Sequence, residues 1–204
     1  MRVILILLAL CTSVLGQQPT GLVRVYCYQD EDNSIDNYGS GTVISPTRVL
    51  TNWHVVKKCR ETNPIQIRLF NNQRVAASIK SYAVIWDMAL LETTSVLHVK
   101  PFETGDRPVP GMLATIHGLG TDYEYSTLAG VVSRTFRYPP VLTEEDCDFF
   151  VVKGALARPG DSGGPVLNLQ GKLIGVLHAT RNREGSTQGI TIDRIIKEFD
   201  LENQ

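Results

Sequence analysis

The sequence from residue 158 to residue 165 is Arg158-Pro159-Gly160-Asp161-Ser162-Gly163-Gly164-Pro165. A serine becomes a nucleophile when a tight, glycine-rich turn exposes its Oγ and aims backbone N–H groups at an oxyanion. Glycines around Ser162 let the backbone approach a substrate closely. A plain hairpin turn uses the same residue types, but the full string is more specific. We therefore predict that Ser162 is a nucleophile.

A nucleophilic serine also needs a base and a carboxylate that orients that base. His54 ends the apolar stretch Leu50-Thr51-Asn52-Trp53-His54, and Asp87 directly precedes the apolar run Met88-Ala89-Leu90-Leu91. Taken alone, His54 would be an ordinary core or surface histidine, and Asp87 a loop or capping residue. Together with Ser162 they form a candidate triad.

The composition is that of an ordinary globular protein. The 204 residues carry 20 Lys and Arg against 21 Asp and Glu, and 43% are hydrophobic, so neither disorder nor a nucleic-acid-binding charge pattern is indicated. With 17 Gly and 10 Pro between many short apolar runs, the chain is predicted to be all-β, as barrels or a sandwich. Only Ile195, Ile196 and Phe199 follow a helical spacing, with Asp193 as the candidate cap.

Residues 1–16 have the three parts of a secretory signal peptide. A basic start is followed by the apolar run Val3–Leu10 and by small and polar residues up to Gly16. The alternative is a buried terminal helix or strand, and the run is too short for a membrane anchor. We expect cleavage before Gln17 and a secreted protein without a membrane anchor.

Cleavage would leave three cysteines, Cys27, Cys59 and Cys147. An odd number permits at most one internal bridge, and buried unpaired cysteines are the alternative. No pair has the spacing of a zinc site. No metal, nucleotide or other cofactor is predicted, and nothing in the sequence indicates an oligomeric state.

The order His54, Asp87, Ser162 resembles that of the chymotrypsin-like serine peptidases. Within that group the chain is most similar to the HtrA (Deg) protease domain, and the similarity extends from about Leu22 to Phe199. The strings that carry it are Gly39-Ser40-Gly41, Thr51-Asn52-Trp53-His54-Val55-Val56, Asp87-Met88-Ala89-Leu90-Leu91, Gly111-Met112-Leu113-Ala114-Thr115-Ile116-His117-Gly118 and Leu128-Ala129-Gly130-Val131-Val132-Ser133.

This resemblance implies two six-stranded antiparallel Greek-key barrels and a short C-terminal helix. Residues 17–104 would form the first barrel, with His54 and Asp87, and residues 105–204 the second, with Ser162. Ser162 would be the nucleophile, His54 the general base and acid, Asp87 the orienting carboxylate, and the N–H groups of Gly160 and Ser162 the oxyanion hole. The implied activity is that of a secreted serine endopeptidase acting on proteins or peptides.

The resemblance also places the pocket for the P1 side chain of the substrate, the residue before the cleaved bond. Leu156 would form its base, and Leu177, His178, Thr180 and Gly189 its walls. An apolar P1 residue of modest size is predicted, because no carboxylate stands at the base. If His178 faced the pocket, Glu or Gln would be preferred instead, and a shift of one residue along the strand decides between these alternatives.

Two departures from the family patterns stand out. HtrA proteins usually carry a PDZ domain, which we do not expect in this chain, and usually have Asn where Asp161 precedes the serine. Trypsin-type enzymes pair that Asp with a newly cut N-terminal ammonium, for which no activation string is present. Arg158 and Lys153 are the alternative partners, and we predict activity without proteolytic activation.

Two functions from other classes remain as alternatives. One is a catalytically inactive homologue that acts as a secreted binding module. The other is a structural β-sandwich for adhesion, which would leave the string around Ser162 unexplained.

Overall fold

The computed structural model describes residues 20–28, 34–59, 64–137, 148–181 and 185–201, except for the side chains of Thr180 and Arg181. The predicted signal peptide at residues 1–16 and Cys147 lie outside the described residues.

The described strands form two closed antiparallel barrels. The first, barrel 1, has the order β1-β2-β3-β6-β5-β4 and is built from Leu22–Tyr28, Ile35–Ser45, Arg48–Asn52, Ile65–Arg68, Arg74–Ala83 and Met88–Thr93. The second, barrel 2, has the order β10-β11-β12-β9-β8-β7 and is built from Leu113–Leu119, Tyr125–Phe136, Phe149–Lys153, Pro165–Leu167, Leu173–Arg181 and Ser186–Thr191. The predicted all-β class with two six-stranded barrels is confirmed, and the sandwich alternative is wrong.

Each barrel has its own apolar interior, and a third apolar layer joins the two. Alternate residues of β1 (Val23, Val25 and Cys27) point into barrel 1, as the two-residue period of a strand requires. Phe150 is fully buried within barrel 2. The layer between the barrels combines residues of both, among them Leu50, Met88, Leu90, Phe149, Leu173, Val176 and Ile190. This shared layer fixes the position of one barrel against the other.

Two short helices complete the described fold. Helix α1 covers Trp53–Val56, so His54 lies in a helical turn rather than at the end of a strand. Helix α2 covers Ile192–Phe199 and buries Ile195 and Phe199. The predicted cap at Asp193 is wrong, because the helix begins earlier and the Thr191 side chain accepts the hydrogen bond from Arg194 N.

A disulfide joins Cys27 on β1 to Cys59 just after α1. It is the single bridge that the cysteine count permitted. Its two residues are 32 positions apart, and closing a loop of that length stabilises a fold by about 3–4 kcal/mol through the unfolded state. The bridge therefore holds the segment that carries His54 against the first strand.

His117 on β7 is a buried histidine whose two ring nitrogens lie 2.8 Å from Thr115 Oγ1 and from Tyr125 Oη. Burial lowers the pKa of His117 from 6.5 to about 4. The folded protein therefore keeps His117 neutral between these pH values, whereas the unfolded chain takes up a proton. His117 therefore does not change the free energy of unfolding above pH 6.5, and it lowers that free energy as the pH decreases from 6.5 towards 4.

We expect the His117→Gln variant to lose less stability in acid than the wild type. Between pH 7.5 and 4.5 the difference in the change of unfolding free energy should be about 2–3 kcal/mol. Urea unfolding of both proteins at several pH values measures it. Parallel dependences on pH for the two proteins would contradict the assignment.

Candidate active site

The first part of the site is the pair Asp87 and His54, both supplied by barrel 1. His54 Nδ1 lies 2.6 Å from Asp87 Oδ2, and the backbone N–H of His54 donates to Asp87 Oδ1 at 2.8 Å. Asp87 follows a 3-10 turn (Val84–Trp86) and has a left-handed backbone with φ of +50°, which Asp and Asn adopt more readily than most residues. The turn therefore aims the carboxylate at the backbone nitrogen of His54 and at its ring Nδ1.

A second histidine contacts the same carboxylate. His178 Nδ1 lies 3.2 Å from Asp87 Oδ2, close enough for an ion pair when the ring is protonated but without the geometry of a hydrogen bond. Burial alone would raise the pKa of Asp87. The contacts with His178 and His54 lower it by more than burial raises it, so that the pKa is about 2. Asp87 is thus ionised at every pH at which the protein is expected to work.

His178 reaches Asp87 because β11 is irregular at this point. The pairing of β11 with β12 shifts between Leu177 and Ala179, so His178 occupies a bulge, and bulges re-aim side chains. Leu177 points into the core of barrel 2, whereas His178 faces Asp87 and the Phe149 ring. His178 thus faces Asp87, as in the alternative in which it does not face the pocket. Its contact with the carboxylate was not predicted.

The Ser162 turn is supplied by barrel 2 and rests on β2 and β3 of barrel 1. Ser40 N donates to Ser162 O at 2.8 Å, and Thr42 Oγ1 donates to Gly163 O at 2.9 Å. Gly163 has a φ of +87°, and a Cβ there would come within 2.2 Å of Ser40 O. Only glycine fits this contact, which sets Ser162 beside the segment that leads into α1.

The N–H groups of Gly160 and Ser162 have no recorded acceptor within the described parts of the chain. Free donors of this kind are what a developing oxyanion requires. No hydrogen bond joins the Ser162 hydroxyl to the His54 ring among the described residues, and in ligand-free enzymes such bonds are often long. The fold thus brings the three predicted triad residues to one junction between the barrels.

A family model described as the trypsin-like peptidase domain matches residues 39–176, which include His54, Asp87 and Ser162. The chain belongs to this family.

Named relatives agree with the resemblance to HtrA proteins. A probable periplasmic serine endoprotease, DegP-like, of Marinomonas sp. (strain MWYL1) is 30% identical over 178 residues, 86% of this chain and 36% of that protein. A serine protease Do-like HtrA of Lactococcus lactis subsp. lactis (strain IL1403) is 28% identical over 167 residues, 75% of this chain and 40% of that protein. The chain therefore spans two fifths or less of the length of these relatives.

The fold is also similar to that of solved serine proteases. The crystal structure of a serine endoprotease from Yersinia pestis superimposes with a TM-score of 0.76 at 20% identity, covering 93% of this chain and 65% of that one. At this identity the comparison supports the fold alone.

The surroundings of Gly189, the predicted far wall of the P1 pocket, differ from the prediction. A Cβ on Gly189 would come within 2.4 Å of the Phe150 ring, so Gly189 faces a filled core and the prediction of an open far wall is wrong. Thr187, two residues earlier on β12, donates to Ala155 O at 2.8 Å and accepts from Ala157 N at 3.1 Å.

Thr187 and Phe150 are buried residues that contact the predicted pocket positions or their neighbours, and neither lies in a recognisable motif. Leu156, the predicted base, is 45% exposed, and Leu177 is buried. The side chain of Thr180 lies outside the described part of the structure.

Asp161 of the peptidase domain is fully buried next to Ser162. Its carboxylate accepts from the backbone N–H of Arg158 at 2.8 Å and from Ser126 Oγ at 3.1 Å. Burial raises the pKa of Asp161, and these two hydrogen bonds oppose that effect. Of the two predicted partners, Arg158 contributes its backbone N–H to the hydrogen bonding.

Across the described ranges, no cluster of three or more His, Cys, Asp or Glu side chains is arranged to hold a metal ion. No helix in those ranges is both long and apolar enough to cross a membrane.

Proposed function

We propose that this chain is a serine endopeptidase that hydrolyses peptide bonds through an acyl-enzyme on Ser162. The observation that carries the proposal is the 2.6 Å contact of His54 with Asp87 on one barrel, opposite the Ser162 turn of the other. The family match and the similarity to named endoproteases support it.

In this proposal each residue has one task. The Ser162 Oγ attacks the substrate carbonyl, and its proton passes to His54 Nε2. Asp87 stabilises the resulting imidazolium, while the N–H groups of Gly160 and Ser162 bind the oxyanion. His54 then donates its proton to the leaving amine, and a water activated by the same base hydrolyses the acyl-enzyme, which restores the Ser162 hydroxyl.

A fluorophosphonate that labels active serines tests this proposal directly. The intact protein should be labelled once, at Ser162, and should cleave an unfolded protein substrate. A catalytically inactive binding module would bind a polypeptide but would be neither labelled nor able to cleave it. Absence of labelling in folded protein would therefore favour that alternative.

We further propose an apolar P1 preference. The predicted pocket positions Leu156, Leu177, Thr180 and Gly189 include no carboxylate that could receive a cation. Burying an unpaired P1 cation would cost several kcal/mol. The contact of His178 with Asp87 turns that ring away from an acidic or amide P1 group.

A cleavage profile on a mixed peptide library should show Val, Ala, Leu or Ile at P1. A Ser162→Ala sample is the control for contaminating proteases. Dominant cleavage after Arg or Lys would overturn the pocket assignment. Dominant cleavage after Glu or Gln, lost in His178→Ala but kept in the exposed control His98→Ala, would show that His178 serves the pocket.

We also propose that the protein is exported, with residues 1–16 removed. Separately, we propose that the boundary between the two barrels lies near residues 104 and 105. The Cys27–Cys59 disulfide supports export, because such bonds persist in oxidising compartments. The Marinomonas relative is itself described as periplasmic. Mass spectrometry of the exported protein should find Gln17 at its N-terminus.

A further inference from the structure

Arg24 on β1 is a cation buried where no cation is expected. Only 1% of its surface is exposed, and charged residues are rarely buried unless they are paired. Its neighbours Val23 and Val25 point into the core of barrel 1, so Arg24 points the opposite way, towards barrel 2.

The Arg24 guanidinium meets the end of β7 and two aromatic rings. Its Nη2 donates a hydrogen bond to Gly120 O, and its Cζ lies 5.2 Å from the Tyr38 ring centroid and 5.4 Å from that of Tyr123. Both distances are within the range of cation–π attraction. Nε and Nη1 have no hydrogen-bond partner among the described residues. Packing and the two aromatic rings therefore hold this cation more than hydrogen bonds do.

The same guanidinium lies directly beneath the turn that precedes Ser162. A Cβ on Gly160 would come within 3.1 Å of Arg24 Nη1 and within 2.8 Å of Leu119 O. Ser40, which pairs with Arg24 across β1 and β2, accepts from Leu119 N at 2.9 Å and donates to Gly160 O at 2.8 Å. Two adjacent side chains of barrel 1 therefore hold Gly160 against the end of β7.

Charge points to the same role. Asp161 is fully buried and follows Gly160 in the chain. Its hydrogen bonds come from a backbone N–H and a hydroxyl, which leave its negative charge to be balanced at a distance. Among the described residues, Arg24 and Arg158 are cations whose fields lower the pKa of Asp161. Arg158 is exposed, so its field is screened by water, whereas that of Arg24 is not.

We propose that Arg24 is a positioning residue for the oxyanion hole, which supports Gly160 from below and balances the buried charge of Asp161. The inference rests on the proposed peptidase function. It also explains how the N–H groups of Gly160 and Ser162 could stand ready without proteolytic processing of the chain.

The test compares Arg24→Met with Arg68→Met. Arg68 is the matched control, because its guanidinium also stacks on Tyr123, at 4.2 Å, but none of its recorded contacts reaches the turn before Ser162. For each protein one measures kcat, KM and the rate of fluorophosphonate labelling, with kcat normalised to the labelled fraction.

Arg24→Met should lower kcat and the labelling rate by about 10- to 100-fold, with KM changed less than about threefold, because a displaced oxyanion donor weakens transition-state binding. Arg68→Met should stay within about twofold of the wild type. A normal kcat for Arg24→Met, or an equal loss in both variants, would overturn the inference. If the wild type itself neither labels nor cleaves, the proposed function fails instead.

Two further variants keep the test decisive. If Arg24→Met does not fold, Arg24→Lys replaces it, because Lys keeps the charge but removes the planar group beneath Gly160. Its kcat should fall at least fivefold, and an unchanged kcat would overturn the inference. Asp161→Asn combined with Arg24→Met should lose less activity than the product of the single effects, because the two residues act on each other. Fully multiplicative losses would contradict the charge pairing.

Discussion

Replacing Ser162 with Ala is expected to lower kcat by on the order of 10⁴ or more and to leave the fold unchanged. The Oγ is the atom that would form the acyl bond, and no other group of the site can replace it. Its removal disturbs little else, because the recorded hydrogen bonds of Ser162 use its backbone oxygen, which accepts from Ser40 N at 2.8 Å.

His54→Ala should cause a loss of similar size, and the double variant Ser162→Ala with His54→Ala should be no worse than either single variant, because nucleophile and base act as a unit. Thermal unfolding and circular dichroism serve as the controls for folding. Undiminished proteolysis by clean Ser162→Ala protein would refute the assignment of the nucleophile.

The second large effect is expected from Asp87→Asn, which should lower kcat by on the order of 10³–10⁴. An amide carries no negative charge to stabilise the His54 imidazolium. Its NH2 group can also donate to Nδ1, which favours the wrong tautomer of the ring. Asn is the right replacement because position 87 has a φ of +50°, which Asn tolerates and Ala does not. The loss therefore reports on charge and tautomer rather than on backbone strain.

Asp193→Asn is the matched control, because Asp193 is an exposed residue in the first turn of α2. Its kcat should stay within about twofold of the wild type, since exposed ion pairs contribute little. Measurements of kcat and KM at several pH values complete the test. If Asp87→Asn retained more than a tenth of the wild-type kcat at every pH, the orienting role of Asp87 would be excluded.

The fold and the proposed triad could be predicted from the sequence because short local motifs indicate both. The residues Asp87, His54 and Ser162 each stand in a short motif, and the alternation of apolar residues marks the strands. The order of these motifs gives the resemblance to the chymotrypsin-like peptidases, and that resemblance implies the two barrels.

Other features were hidden because they depend on contacts between distant segments. The bulge at His178 is a single unpaired residue in β11, and strand periodicity assumes that no such residue exists. Phe150 fills the space beside Gly189 across a strand pair, and a glycine in a sequence does not show which side chain occupies its missing Cβ. The Cys27–Cys59 pairing was one of several that the count allowed.

Arg24 shows the same limit for charge. In the sequence it is one basic residue in an apolar strand, with nothing to distinguish it from a residue at a solvated edge. Only the closure of barrel 1 and its docking on barrel 2 turn that side chain inward, beneath a loop 136 positions further along the chain.

The apolar layer shared by the barrels makes the two halves of the molecule interdependent. Leu50, Met88 and Leu90 of one half and Phe149 and Val176 of the other are covered only when the halves meet. Either half made alone would expose this surface, and extended exposed apolar surfaces promote aggregation. The molecule should consequently unfold as one cooperative unit. The candidate active site, whose residues come from different halves, would then be lost together with the whole fold rather than before it.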